Sequence, residues 1–188
     1  MEDIKIMNKK KLILGIILGI ILLGGTTYAV YSWIGKTIIS GDAECFSVNY
    51  VKGRDIGSNE NSQTLKLGDN FNDGLSSTVE VGLNSNCTIT IGSGTLYLDV
   101  DDSTSDILLT SGALKYQVID GNTFITNGTL TFKGRNTIYE DFKVTDINKA
   151  IIVIVWLDSN MVTDSNRDEI LSSSFSGKIN VKVESRRA

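Results

Sequence analysis

Residues 9–36 constrain this chain more than any other stretch. Lys9, Lys10 and Lys11 precede an uncharged run from Leu12 to Gly35, and Lys36 closes it. As a helix, a run of about 20 apolar residues spans a bilayer core. The same stretch reads as a secretory signal, with a basic n-region, an apolar h-region over Leu12–Leu23 and small residues before Ala29 and Val30, where cleavage would fall. Signal peptide and single transmembrane helix both remain open, and either carries Thr37 onward across a membrane. The lysine flank predicts that Met1 stays cytoplasmic. If the helix is retained, Tyr31 and Trp33 sit at its outer end, where aromatic rings anchor at the interface. The expected partners of this region are therefore the membrane and a signal peptidase.

The order expected is a basic tail over 1–11, the apolar segment over 12–35, a linker or exchangeable strand over 36–44, and one domain over 45–188. The net charge of the chain is -4, and the tail up to Lys11 contributes +2, so the exported part carries -6. No basic patch is dense enough for nucleic acid. The chain has no histidine, which removes a Ser-His-Asp triad, a Cys-His pair and His-ligated zinc. It has no proline either, which removes PxxP ligands and an LPxTG wall signal.

Past Lys36 the helical pattern gives way to short alternating runs divided by Gly, Asn, Asp and Ser. Candidate strands are Cys45–Tyr50, Thr78–Leu83, Thr88–Ile91, Thr95–Val100, Leu114–Ile119, Thr129–Phe132, Ile138–Phe142, Ala150–Leu157 and Lys178–Glu184. Asp120-Gly121 signals a hairpin. Ala150–Leu157 is nearly all apolar and reads as a central strand covered on both faces. In the last run Ile179, Val181 and Val183 face inward. Helical turns are expected only near Asp146–Ala150 and Asp164–Leu171, the latter capped by Asp164 or Ser165. The fold class expected is all-β, an antiparallel β-sandwich or jelly roll preceded by one N-terminal hydrophobic helix.

Cys45 and Cys87 both lie in the exported part, where oxidation is permitted, so a Cys45–Cys87 disulfide is expected over two buried thiols. Two acidic clusters have calcium-type ligands: Asp99, Asp101, Asp102 and Asp106, and then Asp164, Asn166 and Asp168. The second begins like an EF-hand loop and then fails, with Glu169 where Gly is needed and Phe175 where Glu is needed. Solvated rim loops are the plainer reading, and no other cofactor is expected. Adjacent Glu140 and Asp141 point to opposite sides of a strand and cannot share a substrate. No serine or lysine sits in a nucleophile motif. No enzyme is expected. Trp156, Tyr97, Tyr116 and Phe132 are read as core.

The leader ends Gly24-Gly-Thr-Thr-Tyr-Ala-Val-Tyr-Ser-Trp33. This resembles the ending of leaders cut by the SipW-type signal peptidase, carried by the TasA/camelysin family of secreted proteins of Gram-positive bacteria. The resemblance implies a jelly-roll body directly after the leader and a role as a cell-surface or biofilm-matrix component that forms fibres. The metallopeptidase role described for some members does not carry over, because this chain has no histidine and no HExxH. Cleavage after Ala29 would leave Val30–Gly41 as a β-prone N-terminus able to add to a neighbouring subunit's sheet edge. The alternative is a singly anchored protein whose outer sandwich binds a glycan or another protein.

Overall fold

The computed structural model describes residues 38–40, 45–61 and 63–185. The chain divides between Lys36 and Thr37, and all described residues belong to the second part. The hydrophobic leader, with Lys9, Lys10, Lys11, Ala29, Val30, Tyr31 and Trp33, lies outside them. Among the described residues no helix is long and apolar enough to cross a membrane.

The alternating runs form two sheets, as their period of two requires. The smaller sheet has the order β1 (Ile38–Ser40), β10 (Gly177–Ser185), β5 (Gly92–Val100), β8 (Gly134–Val144). The larger has the order β2 (Phe46–Val51), β4 (Leu75–Leu83), β9 (Lys149–Asp158), β6 (Leu114–Asp120), β7 (Thr123–Thr129), with β3 (Leu67–Gly68) also on β9. Pairing is antiparallel except for β1 on β10 and β3 on β9. Helices α1 (Asp106–Thr110) and α2 (Arg167–Leu171) are single turns at the rim. The fold is thus an all-β, two-sheet sandwich.

Its core comes from the inward face of each sheet. Val79 and Val81 of β4 and Ile151, Val153 and Val155 of β9 meet Leu96 and Leu98 of β5 and Ile179, Val181 and Val183 of β10, all buried. β9 is central, between β4 and β6. Its outward face differs from expectation. Trp156 is buried, but Ile152 and Ile154 are only half-buried, and among the described residues no second sheet lies over them. Their cover is local, such as the backbone of Gly74 against Ile154.

Several local expectations shift. The run Gly92-Ser-Gly94, which reads as a divider, is instead the start of β5. Its glycines are flat floors for aromatic rings: a Cβ would fall 2.4 Å from the Phe46 ring at Gly92 and 2.2 Å from the Phe142 ring at Gly94. Thr88–Ile91 is irregular, since this segment leaves one sheet for the other. After β6 the turn takes only Gly121-Asn122, with Gly121 at φ +61°, so β7 begins at Thr123 and ends where the sequence suggests a strand starting. Asp146–Ala150 is a turn leading into β9 rather than a helix, and α2 starts after Asn166.

Cys45 and Cys87 form a disulfide, with their Cα atoms 5.2 Å apart. It ties the start of β2 to the crossover toward β5, closing a loop over a separation of 42 residues. A loop of that size is worth about 3–4 kcal/mol by chain entropy. Cys87→Ser together with Cys45→Ser is expected to lower stability by about that amount. Gly94→Val must displace the Phe142 ring and is expected to cost about 2–3 kcal/mol. Urea unfolding midpoints measure both.

Candidate functional site

One rim of the sandwich is laced by hydroxyls. Asp101 N donates to Ser176 O at 2.9 Å, and Ser105 N donates to Ser174 O at 2.9 Å. The Thr104 hydroxyl, buried, donates to Ser176 O at 3.0 Å and accepts from Ser176 N at 3.1 Å. These bonds pin the turn after β5 against the segment between α2 and β10. On the adjoining side, residues 53–60 fold over β4: Gly57 N donates to Ser76 O at 3.0 Å, the Ser77 hydroxyl donates to Asp55 O, and Ser58 and Ser77 hydroxyls meet at 3.1 Å.

Between these two ties lies a cleft of about 490 Å³. Leu75, Leu108, Leu157 and Ile170 line its apolar part, and Gln63, Thr64, Ser173, Ser174 and Ser176 supply polar groups. Its charged side chains are Asp55 and Lys178, paired at 3.8 Å. Two of the hydroxyls donate to the backbone: Ser173 Oγ to Ile170 O at 2.6 Å, and Ser174 Oγ to Ser103 O at 3.3 Å. The cleft combines apolar and polar lining, and its volume falls in the range of small-ligand sites. None of it is visible as a motif. Ser172–Ser174 and Gln63-Thr64 lie more than a hundred residues apart and read as loops. Only α1, which the acidic run before it obscures, brings Leu108 under them.

The two acidic clusters do not converge. Asp99 lies on the outer face of β5 and accepts from Arg135 Nε at 2.9 Å and Nη2 at 3.1 Å, and from Asn180 Nδ2. Arg135 also lies over the Tyr97 ring, 4.9 Å from its centroid. The bond to Asp99 holds the guanidinium still more firmly protonated. Asp101 closes a turn by accepting from Ser103 N at 2.9 Å, and that backbone bond, with one from the Ser103 side chain, holds its carboxyl below the usual value. Asp102 is exposed. Asp106 opens α1 and pairs with Lys133 at 2.7 Å. In the second cluster Asn166 accepts from Thr163 N at 2.7 Å and precedes α2, while Asp164 and Asp168 lie exposed on either side. Among the described residues no group of three or more acidic, histidine or cysteine side chains is placed to hold a metal.

Of the aromatic residues read as core, Trp156 is buried and Tyr116 packs against the core, where burial raises its phenol above the ordinary value. Tyr97 sits on the outer face beneath Arg135 instead, and Phe132 is 54% exposed in the loop before β8. The loop turns Phe132 out because β7 has already ended. A second polar seam lies between the sheets: Lys149 Nζ meets Asp120 Oδ2 at 2.6 Å, and Tyr139 of β8 lies against them with its phenol raised, first by burial and then by the Asp120 carboxylate.

No protein-family model matches the chain, and no curated protein matches it. Among solved structures the chain is similar to a family two carbohydrate esterase from Cellvibrio japonicus, at 11% identity and a TM-score of 0.28, over 76% of this chain and 34% of that one. The chain thus spans about a third of that protein, and a likeness this distant transfers no chemistry.

With Asp99 committed to Arg135 and Asp106 to Lys133, millimolar Ca²⁺ or EDTA is expected to leave the thermal midpoint unchanged. Differential scanning fluorimetry measures this.

Proposed function

We propose that this chain is an exported, non-catalytic β-sandwich that serves as a structural component at the surface or in the matrix of a Gram-positive cell, in line with the TasA/camelysin resemblance. The observation that carries this reading is the position of β1. Ile38–Ser40 follow the leader within a few residues and pair in parallel register with Lys182–Glu184 of β10. They fall in the segment expected to be exchangeable. A strand that caps an edge in its own copy can cap the same edge in the next copy. Head-to-tail capping of this kind does not close, and it yields a filament. The Cys45–Cys87 disulfide supports an oxidising compartment. The bonds of Ser173 and Ser174 to carbonyl groups are in keeping with a role without catalysis.

The cleft favours a second reading, a singly anchored protein whose outer domain binds a glycan or another protein. The two separate at the N-terminus. Mass spectrometry of the protein from its own cells is expected to find a mature start at Val30, and a retained Met1 would favour the anchored form. Deleting Tyr31–Ile39 is expected to abolish fibres seen by electron microscopy, and unchanged fibres would remove β1 exchange.

A further inference from the structure

Sheet edges expose unpaired backbone groups, and three of the four edges here are short or carry a visible device against further pairing. The β10 edge is covered beyond β1: Ile56 N donates to Gly177 O and Ile179 N donates to Arg54 O, both at 2.9 Å, and Val181 N donates to the Tyr50 hydroxyl at 3.0 Å. β8 has two register shifts, with Asp141 at φ +53°, and carries Arg135, Glu140, Asp141 and Lys143. β2 is short, and its Tyr50 carbonyl accepts from Gly53 N at 3.3 Å.

β7 differs. Among the described residues it pairs with β6 alone. From Gly121 to Phe132 the sequence holds no charged residue and no proline. Thr123, Phe124 and Asn127 are exposed, Phe124 by 56%. Leu130 N donates to Leu114 O at 2.9 Å, which fixes the phase of the ladder. By antiparallel alternation Gly128 and Thr126 then direct their backbone groups to β6, and Asn127 and Thr129 direct theirs outward. On the solvent face Phe124 continues a cross-strand row through Ile119 and Ile152.

We propose that β7 is the joint for a second copy of this chain, added antiparallel about a two-fold axis at Gly128. In that register Asn127 of each copy faces Thr129 of the other, and these two pairs exchange roughly four backbone hydrogen bonds. Phe124 is brought toward Phe132 of the second copy, so the large exposed aromatics flanking this edge gain a common cover. Charge selects a copy of the same edge: the exported part carries a net -6, yet an uncharged strand meets itself without like-charge repulsion. The contact is isologous and closes at two copies. It is separate from the β1 exchange and makes no use of the leader.

Sedimentation equilibrium of the full chain in detergent tests this, with circular dichroism confirming the fold of each variant. The wild type is expected to dimerise. Asn127→Lys, which sets two lysines diagonally across the axis, is expected to weaken the dimer by about tenfold or more. Asn49→Lys on β2, opposite Glu80, is expected to leave it unchanged. The pair Asn127→Cys and Thr129→Cys is expected to form a disulfide-linked dimer on oxidation, and Asn127→Cys alone is not. Deleting Tyr31–Ile39 is expected to leave this dimer intact even where fibres are lost. A monomeric wild type would overturn the proposal. So would a dimer indifferent to Asn127→Lys, which would point to the leader or another face, or equal cross-linking by Asn127→Cys alone.

Discussion

The whole molecule depends on one apolar contact between the sheets, to which β9 contributes from the larger and β10 from the smaller. Ile151, Val153 and Val155 project from one sheet, and Ile179, Val181 and Val183 from the other, with at most 1% of each exposed. Side chains of this kind contribute roughly 1.5–3 kcal/mol each when fully buried. They are β-branched, so they lose little further freedom on a pleated surface. Every strand in the larger sheet reaches β9 directly or through one neighbour. The rim loops, the cleft and the free edges take their places from this one contact.

At several places within and between the sheets, an aromatic ring packs on a glycine instead of an aliphatic side chain. Phe46 lies on Gly92, Phe142 on Gly94, Tyr116 on Gly128 and Phe175 on Gly177. A bare glycine in a strand weakens it, and a ring laid over it restores the lost contact. Beyond the rings, the margins close by hydrogen bonding. Tyr50 reaches from β2 to the backbone of Val181, with Arg54 over its ring at 5.2 Å, so a side chain caps an edge that a strand leaves uncovered. Among the described residues these devices protect the other edges and leave β7 without any.

Strands whose faces differ in polarity were legible residue by residue. β10 alternates Ile179, Val181 and Val183 with polar neighbours, and the structure buries that set. The spans of β9, β6 and β2 were also legible from their apolar and β-branched residues, although the outward face of β9 is less covered than its apolar run suggests. The failures are local in one way and non-local in another. β7 carries threonine, asparagine and glycine with little alternation, so its place was set by the two-residue turn at Gly121-Asn122. The start of β5 is hidden in the sequence because Gly92-Ser-Gly94 reads as a divider, and the rings that cover its glycines come from residues 46 and 142, far away in sequence. The acidic clusters showed the reverse: similar residue types stood close in sequence, but strand geometry sent Asp99 to Arg135 and Asp106 to Lys133. The cleft was not legible at all, since its walls meet only when the 53–65 loop, α1 and α2 fold onto one rim.

By itself the sequence determined an all-sheet body and the inward set of its last strand, and it favoured a Cys45–Cys87 bond, because period-two burial and an even cysteine count leave few alternatives. It also determined which residues lack charge along Gly121–Phe132. Only the tertiary structure decided that this stretch forms an outer strand, which edges are covered, and where serines and leucines converge into a cleft. Those depend on which segments become neighbours, and a hydrogen bond or a ring contact across fifty residues leaves no periodic mark in the chain.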